Sequence, residues 1–293
     1  MILAEKIMRY GDHIQDMDYV QALFTEYPVR AMLDTLHTLL NGQAEPHIDQ
    51  YGSSDVQSAG LFIRDVILLV PESISGDFRT QLFASPIIAD LERLLFSDDY
   101  HDRHSAVYAL GKIGSTNSIP AFHRAFDHFS NDDPLILPAL IFEIRWLQGQ
   151  IDHAVVIDEP LIDAMVANSH FLVRWSALDV IDRHGCHSDQ TRTKLNYLER
   201  LRHDENPWLR AEAEYNYQDC LYQERTHNLP KLERRAQHKL HKVEMAPLKP
   251  KIDFFGIKIG FLNYLSQNGS QRSFQLVDLE QFFKKLVQET SRA

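Results

Sequence analysis

The 293-residue sequence predicts an all-α array of stacked helical hairpins, with a small β-hairpin plus helix appended at its C-terminal end. Three observations predict it. A pattern marked by Arg103, Pro138, Arg174 and Arg210 returns at intervals of 35, 36 and 36 residues, a period typical of helix-pair repeats. Small and apolar residues follow each marker on one helical stripe: Ala106, Ala109, Leu110 and Ile113; Ile141 and Ile144; Ala177, Val180 and Ile181; Ala213. Gly114, Gly149 and Gly185 stand at a common offset from the first three markers, where a helix is stopped most readily by a left-handed residue.

In chain order, residues 1–54 read as an N-terminal helical cap, with helices over Ile2–Tyr10, Asp16–Thr25 and Val29–Leu40. Pro28 restarts the third and Asn41-Gly42 ends it. The array spans 55–227. It begins with a helix over Asp55–Val70, an irregular turn over Asp77–Ala84 and a second helix over Pro86–Phe96. Second helices of later pairs start at Ile119, with Pro120 in the first turn as proline prefers, and run through Leu195, Leu198 and Leu201. Asp98-Asp99, Asp132-Asp133 and Asp204-Glu205 fall just ahead of the marked helices, where an acid caps backbone N–H groups and complements the helix dipole. Residues 228–251 form a basic helix and linker broken by Pro247 and Pro250. In 252–293, the β-branched and aromatic run Ile252–Leu265, the Asn268-Gly269 turn and Ser273–Leu276 read as a hairpin, followed by a helix over Leu279–Thr290.

The pattern Arg-x-x-Ala-x-x-Ala-Leu-Gly-x-Ile-Gly over 103–114, followed by Ile119-Pro120-Ala121, resembles the HEAT-like repeats named from phycobilisome lyases, within the HEAT and armadillo superfamily. The resemblance covers 102–126 well, and returns at 171–185 and more faintly at 134–149 and 206–220. It implies an α-solenoid of about five to six pairs. It also implies that Arg103, Arg174 and Arg210 are structural ladder residues, each paired with an acid of a neighbouring repeat, with Pro138 interrupting the ladder.

Charge divides unevenly along the chain. Residues 228–293 carry 12 basic and 6 acidic residues, a net of +6, which leaves 18 basic and 35 acidic in 1–227, a net of −17. An acidic surface repels nucleic acid and anionic lipid and attracts basic protein segments. The reading is therefore a non-enzymatic adaptor that binds a basic protein partner on an acidic concave surface, without nucleic acid, membrane or cofactor. The phase of the second helices places His123, Arg124, Asp127, Asp163, Lys194, Tyr197 and Glu199 outward, as the binding face. An N-terminus without a secretory pattern, and only two cysteines, Cys186 and Cys220, predict a cytoplasmic location with free thiols.

Other chemistry carries less weight. His101 and His104 beside Asp98, Asp99 and Asp102 have metal-ligand spacing, and His184, Cys186 and His187 with Cys220 offer a conceivable zinc set; both are set aside for packing and capping roles. A bilin lyase or a HEAT-type DNA glycosylase, or an accessory subunit of such an enzyme, is the alternative the resemblance suggests. No residue is assigned as catalytic, because Trp146, Trp175 and Trp208 fall at unlike offsets and no catalytic motif is present. A further alternative is an immunity protein that neutralises a basic toxin. Phe254, Phe255, Phe261 and Tyr264 are expected to form the core of the C-terminal appendage.

Overall fold

The computed structural model describes residues 3–10, 16–42, 55–152, 159–182, 188–267 and 274–292. Regular structure among them is helical throughout, in sixteen α-helices and short 3-10 turns, without a strand. The chain forms two compact units. One comprises Met1–Asp127, Phe142–Val155 and Ser270–Ser273; the other comprises His128–Ile141, Val156–Gly269 and Phe274–Ala293.

The first unit contains α1 (Leu3–Met8), α2 (Met17–Glu26), α3 (Val29–Leu40), α4 (Asp55–Leu69), α5 (Glu72–Phe83), α6 (Ile87–Leu94), α7 (Tyr100–Ile113), most of α8 (Ile119–Phe129) and most of α9 (Leu137–Asp152). Local chemistry sets these ends. Asp16 caps α2 by accepting from Tyr19 N at 3.0 Å, and α3 stops at Asn41 and Gly42, the latter at φ +63°. Helices α4 and α7 pack through Gly60, where a Cβ would stand 2.9 Å from that of Ser105. Ile7, Tyr10, Met32, Leu36, Phe62, Val66, Phe78 and Leu91 fill the core, each contributing about 1.5–3 kcal/mol of burial. Polar ties cross that core, as where Tyr10 donates to Asp65 at 2.7 Å.

The second unit contains α10 (Glu159–Val166), α11 (Phe171–Asp182), α12 (Ser188–Leu201), α13 (Pro207–Thr226), α14 (Lys231–Met245), α15 (Phe254–Gln267) and α16 (Leu276–Arg292). Trp175 of α11 is wholly buried and meets Phe283 of α16 edge to face at 5.5 Å.

Three expectations are corrected. Residues 77–84 are not an irregular turn: α5 runs from Glu72 through Phe83, because Phe78 and Leu82, four residues apart, are both buried. Gly149 does not stop a helix, since α9 continues through it to Asp152.

The β-hairpin is absent among the described residues. Residues 254–267 are the helix α15, and 274–275 lead directly into α16, while the turn at Asn268-Gly269 and Ser273 lie outside the described residues. Phe254, Ile257 and Phe261 line one buried stripe at helical spacing. Gly260 lets α15 approach α16, since a Cβ there would stand 3.1 Å from Phe282 Cζ. Gly185 also lies outside the described residues.

Candidate binding surfaces

The α7–α8 pair is built from its caps inward. Asp99 accepts from His101 N and Asp102 N at 2.7 and 3.3 Å and starts α7; Gly114 ends it at φ +78°. Ala106, Ala109, Leu110 and Ile113 are buried, as their spacing required. The Ser118 hydroxyl donates to Glu92 at 2.7 Å ahead of α8, whose Phe122, Ala125 and Phe126 turn inward. On the other side of α8, Arg124 and Asp127 are exposed and His123 is half-buried.

The same unit holds a site that the sequence reading missed. Glu143 of α9 is fully buried, and its carboxylate lies against Gly111, where a Cβ would stand 1.9 Å from Oε2. Lys112 Nζ donates to both carboxylate oxygens at 3.2 and 3.3 Å. The same ammonium lies over the Phe142 and Trp146 rings, at 5.5 and 5.1 Å from their centroids. Burial pushes the Glu143 carboxyl up to about 7 against the opposing attraction of Lys112. The available signal was a glycine in the middle of a helix, which marks a close approach without naming the approaching group.

In the second unit, Asp163 of α10 is exposed and accepts from Arg200 of α12 at 2.7 Å. Glu199 is half-buried; a hydrogen bond from His203 holds its carboxyl below the usual range, and Arg202 adds to the effect. Lys194 and Tyr197 do not face outward. Both are buried, and the Tyr197 hydroxyl donates to the Glu159 carbonyl at 3.4 Å. Burial first, then the negative charges of Asp163 and Glu159, push this phenol up to about 12. Helix α12 packs against both α11 and α13, so its buried arc is wider than a single apolar stripe suggests.

The marker arginines share a geometry. Arg103 donates to the Ser97 and Asp98 carbonyls at 2.6 and 3.0 Å, Arg174 to those of Asn168 and Ser169 at 2.9 Å, and Arg210 to that of Asp204 at 2.7 Å. Each folds back on the turn that enters its own helix. Arg174 also pairs with Asp204 and Glu205 ahead of the next marked helix. The acids behave less uniformly than expected. Asp133 accepts from Leu135 N at 3.0 Å, but the cap of α13 is Asn206, with Asp204 two residues before it, accepting from Asn206 N at 2.8 Å.

At the C-terminal end, Glu212 of α13 accepts from Trp175 Nε1 and from Phe254 N, so it ties α11 to the first turn of α15. Of the four expected core aromatics, Phe254 and Phe261 are buried, while Phe255 and Tyr264 are exposed. Helix α14 rests on α13 through His241, which pairs with Asp219 at 2.9 Å and stacks on Tyr222 at 3.8 Å.

Among the described residues, no three His, Cys, Asp or Glu side chains converge as metal ligands, and no helix is long and apolar enough to cross a membrane. His104 stacks on Tyr100 at 5.5 Å. The second conceivable metal set lies partly outside the described residues, at His184, Cys186 and His187, whereas Cys220 is buried. No curated protein matches the chain. Residues 102–128, the α7–α8 pair, match the family model described as PBS lyase HEAT-like repeat, and on that ground the chain carries a HEAT-like repeat.

Proposed function

We propose that this chain is a non-enzymatic HEAT-like binding module whose acidic portion engages a basic protein partner. The observation that carries the reading is the charge partition: 35 acidic against 18 basic residues in 1–227, the part that holds the HEAT-like repeat. Charge of one sign gathered on a repeat scaffold favours encounter with segments of the opposite sign. The exposed Asp127 on α8 and Asp163 on α10 are the side chains assigned to it, each within its own unit. Lys194 and Tyr197 are withdrawn from the face because they are buried.

The test uses a fluorescent lysine-rich peptide and measures anisotropy at low and high salt. Binding should weaken steeply with salt, and Asp127→Lys and Asp163→Lys should each reduce affinity several-fold, roughly 1 kcal/mol per rim charge. Affinity that ignores both substitutions sinks the proposal.

An enzymatic reading has one observation in its favour, the Glu143 carboxyl held near 7, a value suited to acid–base work. That carboxylate is fully buried and covered by Lys112, so no substrate atom reaches it. The binding reading therefore stands ahead of it.

A further inference from the structure

Helix α14 is exposed along almost its whole length, and only His241 and Met245 turn inward. On the side directly opposite those two residues it presents Leu232, Ala236, Leu240 and Val243. The three larger side chains are 81, 60 and 73 % exposed. An apolar stripe on a helix surface at this spacing is the pattern that meets a partner helix.

The flanks of the stripe carry opposite charge. Arg235 and Lys239 border it on one side; Gln237 and Glu244 border it on the other, with Glu233 at its edge in the first turn. Among the described residues, the side chains of Arg235, Lys239, Glu233 and Glu244 form no hydrogen bond or ion pair. An anionic membrane would draw the basic side, where Lys231, Arg234 and Lys242 join Arg235 and Lys239, but not the border of the stripe that carries Glu233 and Glu244, and a nucleic-acid backbone has no use for the leucines. A helix with the same stripe and the opposite order of flanks satisfies both sides.

We propose that a second copy of this chain supplies that helix, with the two α14 helices packed in parallel about a two-fold axis. In a parallel pair, Ala236, Leu240 and Val243 form the seam, and Lys239 of one copy faces Glu244 of the other, the five-residue offset at which interhelical ion pairs form. An antiparallel pair would set like flanks against each other. The seam is short, so the dimer is weak, with a dissociation constant on the order of tens of micromolar. Glu233 meets its own copy across the first turn and weakens the pair further.

The full chain is examined by sedimentation equilibrium over a hundredfold concentration range around that value. The mass should rise toward that of a dimer. Leu240→Ser, Lys239→Glu and Glu244→Lys should each leave a monomer at the top concentration. The double variant K239E/E244K should restore the dimer, and Glu233→Gln should tighten it several-fold. Oxidised Val243→Cys should cross-link to itself beyond a wild-type control that carries the native Cys186 and Cys220. A mass that stays monomeric throughout overturns the proposal, as does a dimer indifferent to Leu240→Ser or to both charge reversals. Capture of an acidic peptide or of phosphatidylserine vesicles by a chain that remains monomeric also overturns it, and gives the face to that occupant.

Discussion

Arg174 holds both oxygens of Asp204, through Nε at 2.6 Å and Nη2 at 3.0 Å, across thirty residues of chain. The pair is nearly out of solvent, with side-chain exposures of 11 and 7 %. Asp204 also accepts from Asn206 N, and its own carbonyl accepts from Arg210. One carboxylate thus links the marker arginine of one repeat to the turn that starts the next. Arg174→Ala should cost about 3–5 kcal/mol, because it leaves Asp204 buried without its charge partner. Arg174→Lys should recover only part of this, since an ammonium lacks the two-pronged geometry. Arg210→Ala, at an exposed position, should cost under about 1 kcal/mol. Urea midpoints of the three variants check the order.

Gly111 should tolerate no larger residue while Glu143 remains. A methyl group there would stand 1.9 Å from the carboxylate, so Gly111→Ala should destabilise by roughly 2–4 kcal/mol through forced repacking. Combining it with Glu143→Ala should cost clearly less than the sum of the two single changes. A double-mutant cycle in urea reads the coupling.

The Glu143 carboxyl also makes stability depend on pH. Its value in the folded chain is about 7 against an ordinary 4.5, so the folded state holds this proton more tightly than the unfolded state does. The stabilisation from that proton is fully present below pH 4.5 and is lost as pH rises through about 7, a change of about 3 kcal/mol across the window. Glu143→Gln should flatten this fall. Thermal midpoints on either side of the window decide it, and an unchanged slope would place the titrating group elsewhere.

Helix α15 should depend on a residue 42 positions earlier in the chain. Glu212→Ala removes the acceptor of Phe254 N and leaves the Trp175 indole N–H buried without that partner. The expected cost is about 2–3 kcal/mol, with a red shift in tryptophan emission as the Trp175 pocket loosens. Amide exchange should rise first in the opening turn of α15.

The repeat and its local devices were legible because they depend on short-range chemistry. Asp99 caps α7, Gly114 adopts the left-handed conformation, and the alanine stripe is buried, all from residues within a few turns of one another. Lys194 and Tyr197 were misplaced because phase assumes one buried stripe, whereas α12 is covered by helices from two sides. The C-terminal segment was misread as a strand because its β-branched and aromatic residues favour extended structure locally, while the packing of α15 on α16 favours a helix.

By itself the sequence determined the period, the helix starts and stops of the HEAT-like pair and the division of charge between the two parts of the chain, since each is a property of neighbouring residues or of composition. Tertiary structure alone decided that Glu143 lies against Gly111, that Asp204 joins Arg174 to the following turn, and that 254–267 is helical. Those outcomes rest on side chains far apart in sequence, whose approach depends on how helices pack and on what space a neighbour leaves open.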